Sequence, residues 1–188
     1  MGDPVEELVA QMAAADSPRT KVRLLNALSK ELRDIDGQRA LAYAQEAYDL
    51  AAADPDWVEG RIRSLASLAE GHIQLGRIEP ALAQALEALS LCKADGTEPL
   101  QAQVFRILNA IYEHLGDYSA ALAYAYKALE TSQAVGDRTG EALALNMLGI
   151  VYGKLGDYGQ ALAAYDQALG TFQAAGFRRP VAILLNNI

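Results

Sequence analysis

The feature that most constrains this chain is an internal repeat of about 40 residues. The segment Leu115-Gly116-Asp117-Tyr118-Ser119-Ala120-Ala121-Leu122 returns as Leu155-Gly156-Asp157-Tyr158-Gly159-Gln160-Ala161-Leu162, an offset of 40. A weaker copy, Leu75-Gly76-Arg77-Ile78-Glu79-Pro80-Ala81-Leu82, lies a further 40 residues back, and the most divergent one runs from Ile35 through Ala40-Leu41 with one residue missing. The tail from Ala182 to Ile188 aligns with Ala142 to Leu148, so a fifth copy has begun at the last residue.

Inside each copy the apolar residues recur with a period near 3.6, which predicts two antiparallel helices. In the clearest copy Leu145, Leu148, Gly149 and Tyr152 mark the first helix, and Ala161, Leu162, Tyr165, Ala168 and Leu169 the second. Gly156 is placed to end the first helix in a left-handed conformation, and Asp157 to accept hydrogen bonds from the free amides of the next. Small residues at Gly149 and Ala161 let the two axes approach, with the rings of Tyr152 and Tyr165 filling the space beside them. One hairpin cannot hide its apolar faces, but stacked hairpins can. The expected fold is all-α, a right-handed superhelical solenoid of helix hairpins with nine or ten helices.

Residues 1–20 read as an N-terminal helix covering the open end, with Asp3 as cap and Pro4 in the first turn. The array then divides into approximate units 21–60, 61–101, 102–141 and 142–181, with 182–188 a partial fifth. Turn formers such as Asp54-Pro55 and Gly136-Asp137 separate the hairpins, and Pro80 falls near the start of a second helix, where a missing amide hydrogen costs least.

Composition agrees with helices, since 36 Ala and 27 Leu make up a third of the 188 residues. The net charge of -8 argues against duplex nucleic acid or an anionic membrane as the main partner. A single cysteine, Cys92, permits no internal disulfide, and no signal peptide or membrane span is visible, so a cytoplasmic setting is expected.

Leu145, Leu148, Gly149, Tyr152, Gly156, Tyr158, Ala161, Tyr165 and Ala168 together resemble the signature of tetratricopeptide repeats, in the variety with about 40 residues per unit. The stretch from Gly136-Asp137-Arg138 through Asn146-Met147-Leu148-Gly149 is similar to repeats of kinesin light chains, spindle-orientation adaptors and bacterial signalling proteins. In the first three units Ser29, Ala69 and Asn109 stand where the pattern has glycine. The resemblance implies a module that binds a peptide or protein in a concave groove lined by the first helices, as the N-terminal part of a larger signalling or regulatory protein.

Projecting that groove onto this sequence selects Arg23, Asn26, Lys30 and Arg33, then Arg63, Glu70 and Gln74. The third unit supplies Gln103, Arg106, Glu113 and His114, the fourth Asn146, Ile150 and Lys154, and the fifth Asn186. One column runs Asn26, Ala66, Arg106, Asn146, Asn186, and an Asn side chain can hold a peptide backbone by both its donor and its acceptor. The projected surface carries six Lys or Arg against two Glu, which favours an acidic segment or a C-terminal carboxylate. A chaperone-tail receptor is not expected, because the units are long and Ala66 interrupts the column.

No enzyme activity, cofactor or metal is expected. His72 and His114 sit in separate units, His72 taking the place of Tyr112 and Tyr152 as a half-buried ring. Cys92 reads as a buried, inert thiol without a neighbouring histidine. Tyr118, Tyr124, Tyr126, Tyr158, Tyr165 and Phe172 lie where hairpin packing can use them, and Trp57 either anchors a partner or packs across a connection. An array ending at Ile188 would expose an apolar face. That implies a fragment of a longer protein or, alternatively, a homodimer through that face, with self-association regulating an attached effector.

Overall fold

The computed structural model describes residues 3–174, so Asn186 and the started fifth repeat lie outside the described residues. Among the described residues there are nine helices and no strand. They fall into two compact units, one ending at Thr97 and one beginning at Glu98. The first unit holds α1 (Pro4–Ala13), α2 (Pro18–Leu32), α3 (Gly37–Ala52), α4 (Val58–Gln74) and α5 (Ile78–Asp95). The second holds α6 (Glu98–His114), α7 (Tyr118–Ala134), α8 (Arg138–Leu155) and α9 (Tyr158–Ala174).

Helix starts follow from local chemistry. The first helices begin at residues 18, 58, 98 and 138, three or four positions before the unit boundaries projected from the apolar pattern. Capping residues fix two of these starts, since Ser17 accepts from the Thr20 amide at 3.1 Å and Asp137 from the Gly140 amide at 2.9 Å, whereas Trp57 before α4 makes no side-chain cap. Asp117 and Asp157 cap α7 and α9 in the same way, at 3.0 and 3.2 Å, and Asp3 caps α1. In the second copy Arg77 occupies the cap position and α5 has no side-chain cap.

The first helices of the last three hairpins end as the glycines dictate. Gly156 stands at φ 80°, which allows the Asp157 amide to turn back and donate to the Tyr152 carbonyl at 3.0 Å. The same closure joins Asp117 to Tyr112 and Arg77 to His72.

Within each unit every helix packs on its sequence neighbour, and the first helices of adjacent hairpins touch as well, α2 on α4 and α6 on α8. The second helices bury a narrow stripe of small residues: Ala40, Ala44, Ala47 and Ala51 on α3, then Ala81, Ala85, Ala88 and Cys92 on α5. The stripe continues as Ala121, Ala125, Ala128 and Ser132 on α7, whereas on α9 the large Tyr165 and Phe172 join Ala161 and Ala168 in it. Alanine lets two helix axes come close, while larger first-helix residues such as Leu25, Leu65 and Leu108 supply about 1.5–3 kcal/mol each from burial. α1 packs on α2, and its Met12 rests on the cluster formed by Val22, Leu25 and Trp57.

Three apolar expectations change, Tyr126 being 48% exposed on α7. Leu162, read as a packing residue, is 48% exposed and Tyr158 is 75% exposed. The equivalent Leu122 packs against the α8–α9 cluster, whereas no described helix follows α9 to cover Leu162.

Candidate functional site

The first-helix wall of the N-terminal unit is built from α2 and α4. Positions 23, 26, 30 and 33 fall within one narrow stripe of the α2 surface, because steps of three and four residues return to nearly the same face. Two of these residues are occupied by the wall itself. Asn26 donates from Nδ2 to Ser64 Oγ at 3.1 Å, and Arg33 forms an ion pair with Glu70. On α4, Arg63 is paired along its own helix with Glu59 at 2.8 Å, and Gln74 is exposed. Ala66, which interrupts the asparagine column, is buried.

Beside this stripe Trp57 is buried, so it packs across the connection rather than standing exposed. The guanidinium carbons of Arg19 and Arg23 lie 5.3 and 6.0 Å from its ring centroid. Arg19 is also paired with Asp54 at 2.7 Å, and Lys21 with Glu46 at 2.7 Å. Arg23 and Lys30 are exposed and, among the described residues, have no carboxylate within ion-pair distance. Sequence reasoning missed Ser64, Glu59 and Arg19 as shapers of this surface. Ser64 carried a signal, being a polar residue between the apolar Ile62 and Leu65 of the same helix.

The second unit presents α6 and α8. Gln103, Arg106 and Glu113 on α6 and Asn146 and Ile150 on α8 are half-buried, and His114 and Lys154 are exposed. Ile150 packs against the cluster that contains Tyr165, so part of its surface belongs to the core. Nδ1 of His114 lies 2.8 Å from the Ala110 carbonyl oxygen. Asn109, which replaces the repeat's glycine, is buried and donates from Nδ2 to the Ala121 carbonyl at 3.0 Å, tying α6 to α7.

His72 is half-buried, and burial first, then the Arg77 charge, push its imidazole below the usual histidine range. Burial pushes the Cys92 thiol up. The hydroxyls of Tyr126 and Tyr152 share a hydrogen bond of 2.6 Å between α7 and α8, and that bond is the main reason the Tyr152 phenol is pushed up to about 12. Among the described residues no three His, Cys, Asp or Glu side chains gather as a metal site would require, and no helix is long and apolar enough to cross a membrane.

Residues 101–174 match the tetratricopeptide-repeat family model. No curated protein matches the chain in sequence. Among solved structures, the Rap protein complexed with competence and sporulation factor aligns with TM-score 0.81 and 18% identity, over 90% of this chain and 48% of that one. BtubC (BKLC) from P. vanneervenii aligns with TM-score 0.78 and 20% identity, over 99% of this chain and 82% of that one. Aspartyl phosphate phosphatase F from Bacillus subtilis gives TM-score 0.75 and 15% identity, over 89% of this chain. The chain spans less than half the length of the phosphatase and of the Rap protein, 44% and 48%. At these identities the likeness is one of fold. The 40-residue repeat, the stacked hairpins and the match over residues 101–174 converge on a tetratricopeptide-repeat fold, with the family model itself matching the third and fourth hairpins.

Proposed function

We propose that this chain is a protein-interaction module whose α2–α4 wall receives an acidic segment of a protein partner. The observation that carries the reading is the pair Arg23 and Lys30, exposed on one stripe of α2 without carboxylate partners among the described residues, while Arg33 and Arg63 of the same projected surface are neutralised. Two helical turns separate them, about 10 Å along the axis. A peptide in polyproline II geometry rises about 3.1 Å per residue with three residues per turn, so carboxylates three residues apart lie on one side, about 9 Å apart, and match the two cations. Arg23 is steadied by the Trp57 ring, which lowers the entropy it loses on pairing. The Rap protein, which shares the fold, was solved in complex with competence and sporulation factor, and that supports a binding role.

The test is fluorescence anisotropy of a labelled extended peptide carrying Glu three residues apart, in free-acid and C-terminally amidated forms. Binding that weakens with salt and drops at least tenfold in the Arg23→Glu, Lys30→Glu double variant supports the reading, and the two peptide forms report whether a terminal carboxylate contributes. Equal affinity in the double variant, with helicity intact, refutes it. Salt-independent formation of dimers by the parent chain, with no peptide binding, would instead favour the self-association role.

A further inference from the structure

The repeats hold equivalent positions on their second helices, registered by the buried alanines Ala47, Ala88, Ala128 and Ala168. In that register Tyr48 corresponds to Leu129, Glu87 to Gln167, and Arg61 to Glu141. The two units treat this triplet differently. In the first, the Tyr48 hydroxyl of α3 donates to Glu87 Oε1 of α5 at 3.3 Å, with Arg61 of α4 close enough to bear on the phenol's ionisation. The gap between α3 and α5 is thereby bridged.

In the second unit neither Leu129 nor Gln167 makes that bridge, and a groove of about 630 Å³ opens between α7 and α9 above the N-terminal half of α8. Leu129 and Leu145 give it apolar walls, and Gly170 and Thr171 of α9 form its far side. At its base stands Glu141, whose side chain is only 12% exposed. Gln133 donates from Nε2 to Oε1 at 3.0 Å and Arg138 from Nη1 to Oε2 at 2.8 Å. The Gln133 bond, with help from Arg138, holds this carboxyl below the usual range and therefore ionised. Each carboxylate oxygen can accept a second hydrogen bond. Arg138 is 73% exposed and competes weakly for its place, because ion pairs at such exposure contribute little.

We infer that the α7–α9 groove is a second binding site, which receives a basic side chain of a protein partner: an apolar stem between Leu129 and Leu145, ending in a guanidinium or ammonium on Glu141. The groove shares none of the residues of the acidic-segment wall, so the two sites stand or fall separately. A long cationic side chain suits it because its methylenes cover apolar surface while its head reaches a carboxylate. A buried anion flanked by leucines favours a cation over a neutral ligand of the same shape.

The probe is an acetylated and amidated pentapeptide with a central arginine between two leucines, titrated into the ¹⁵N-labelled full chain. Its counterpart carries citrulline, the neutral isostere, in place of arginine. The expected result is saturable shifts at the amides of Leu129, Glu141, Gly170 and Thr171, with affinity at least tenfold weaker for the citrulline peptide and for Glu141→Gln. A second variant, Leu129→Tyr, sets a phenol opposite Gln167 that can bridge the gap without adding a carboxylate beside Glu141; it should keep a cooperative melt and lose the shifts. Shifts of equal size and affinity with the citrulline peptide, in Glu141→Gln, or in the bridged variant would overturn the proposal, as would no shifts with the arginine peptide.

Discussion

The ring of Tyr165 on α9 lies where a β-carbon on residue 149 of α8 would stand: a methyl placed on Gly149 would come within 2.5 Å of the ring. The pair exchanges volume between the two helices of one hairpin. In the third hairpin the equivalents are Asn109 and Ala125, in the second Ala69 and Ala85, so a larger first-helix residue faces a smaller second-helix one.

Gly149→Ala is therefore expected to destabilise the second unit. Overpacking costs about 1–3 kcal/mol, and the better helix propensity of alanine returns about 1 kcal/mol of that. In a Tyr165→Ala background the ring is gone and the same substitution should become stabilising by up to about 1 kcal/mol. Urea unfolding of the four members of this cycle checks the reversal of sign, and additivity would show that the two residues do not share space.

Gly153, one turn further along α8, supplies the control. A β-carbon there meets nothing within 4 Å among the described residues. Gly153→Ala should stabilise by about 1 kcal/mol in both backgrounds, from helix propensity alone. A loss of stability in urea melts would mean that something outside the described residues occupies that space.

The uncapped start of α5 predicts a gain. Arg77→Asp restores the residue found at the equivalent Asp117 and Asp157, both of which cap their helices, and should add about 1 kcal/mol at pH 7. Asp117→Ala and Asp157→Ala should each cost about as much. Thermal melts of the three variants decide whether the cap or the position sets the effect.

His72 makes the first unit sensitive to mild acid. Its folded pKa is lowered by burial and by Arg77, so just below the ordinary value of 6.5 the unfolded chain binds the proton more readily than the folded one. Stability from this group is whole above about pH 6.5 and is lost as pH falls toward the depressed folded value. The urea midpoint should drop between pH 7.5 and 5.5, and the drop should shrink in His72→Tyr, which installs the residue found at 112 and 152, and in Arg77→Asp. An unchanged slope in both variants would assign the acid sensitivity to other groups.

Cys92 is buried and its thiol is pushed up by that burial, so a disulfide reagent at pH 8 should label it only as fast as the chain opens. Labelling of the native chain at the rate of the urea-unfolded chain would place the thiol at the surface.

The sequence by itself determined the local architecture. Gly156 at a left-handed turn and Asp157 as a cap were legible, because each acts on backbone within four or five residues along the chain, and the 40-residue repeat carried the same pattern to Gly76, Gly116 and Asp117. The sequence could also nominate Arg23, Asn26, Lys30 and Arg33 as neighbours on one helical face. Only the tertiary structure decided which of them remain available. Asn26 meets Ser64, and Arg33 meets Glu70, across 38 and 37 residues of chain, leaving Arg23 and Lys30 without carboxylate partners among the described residues. The same holds for the bridge from Tyr48 to Glu87 and the groove that opens where Leu129 and Gln167 stand instead. Helix periodicity fixes the face on which a side chain lies, but a partner is chosen by the length, charge and position of another side chain one repeat away, and those quantities meet only when the hairpins stack.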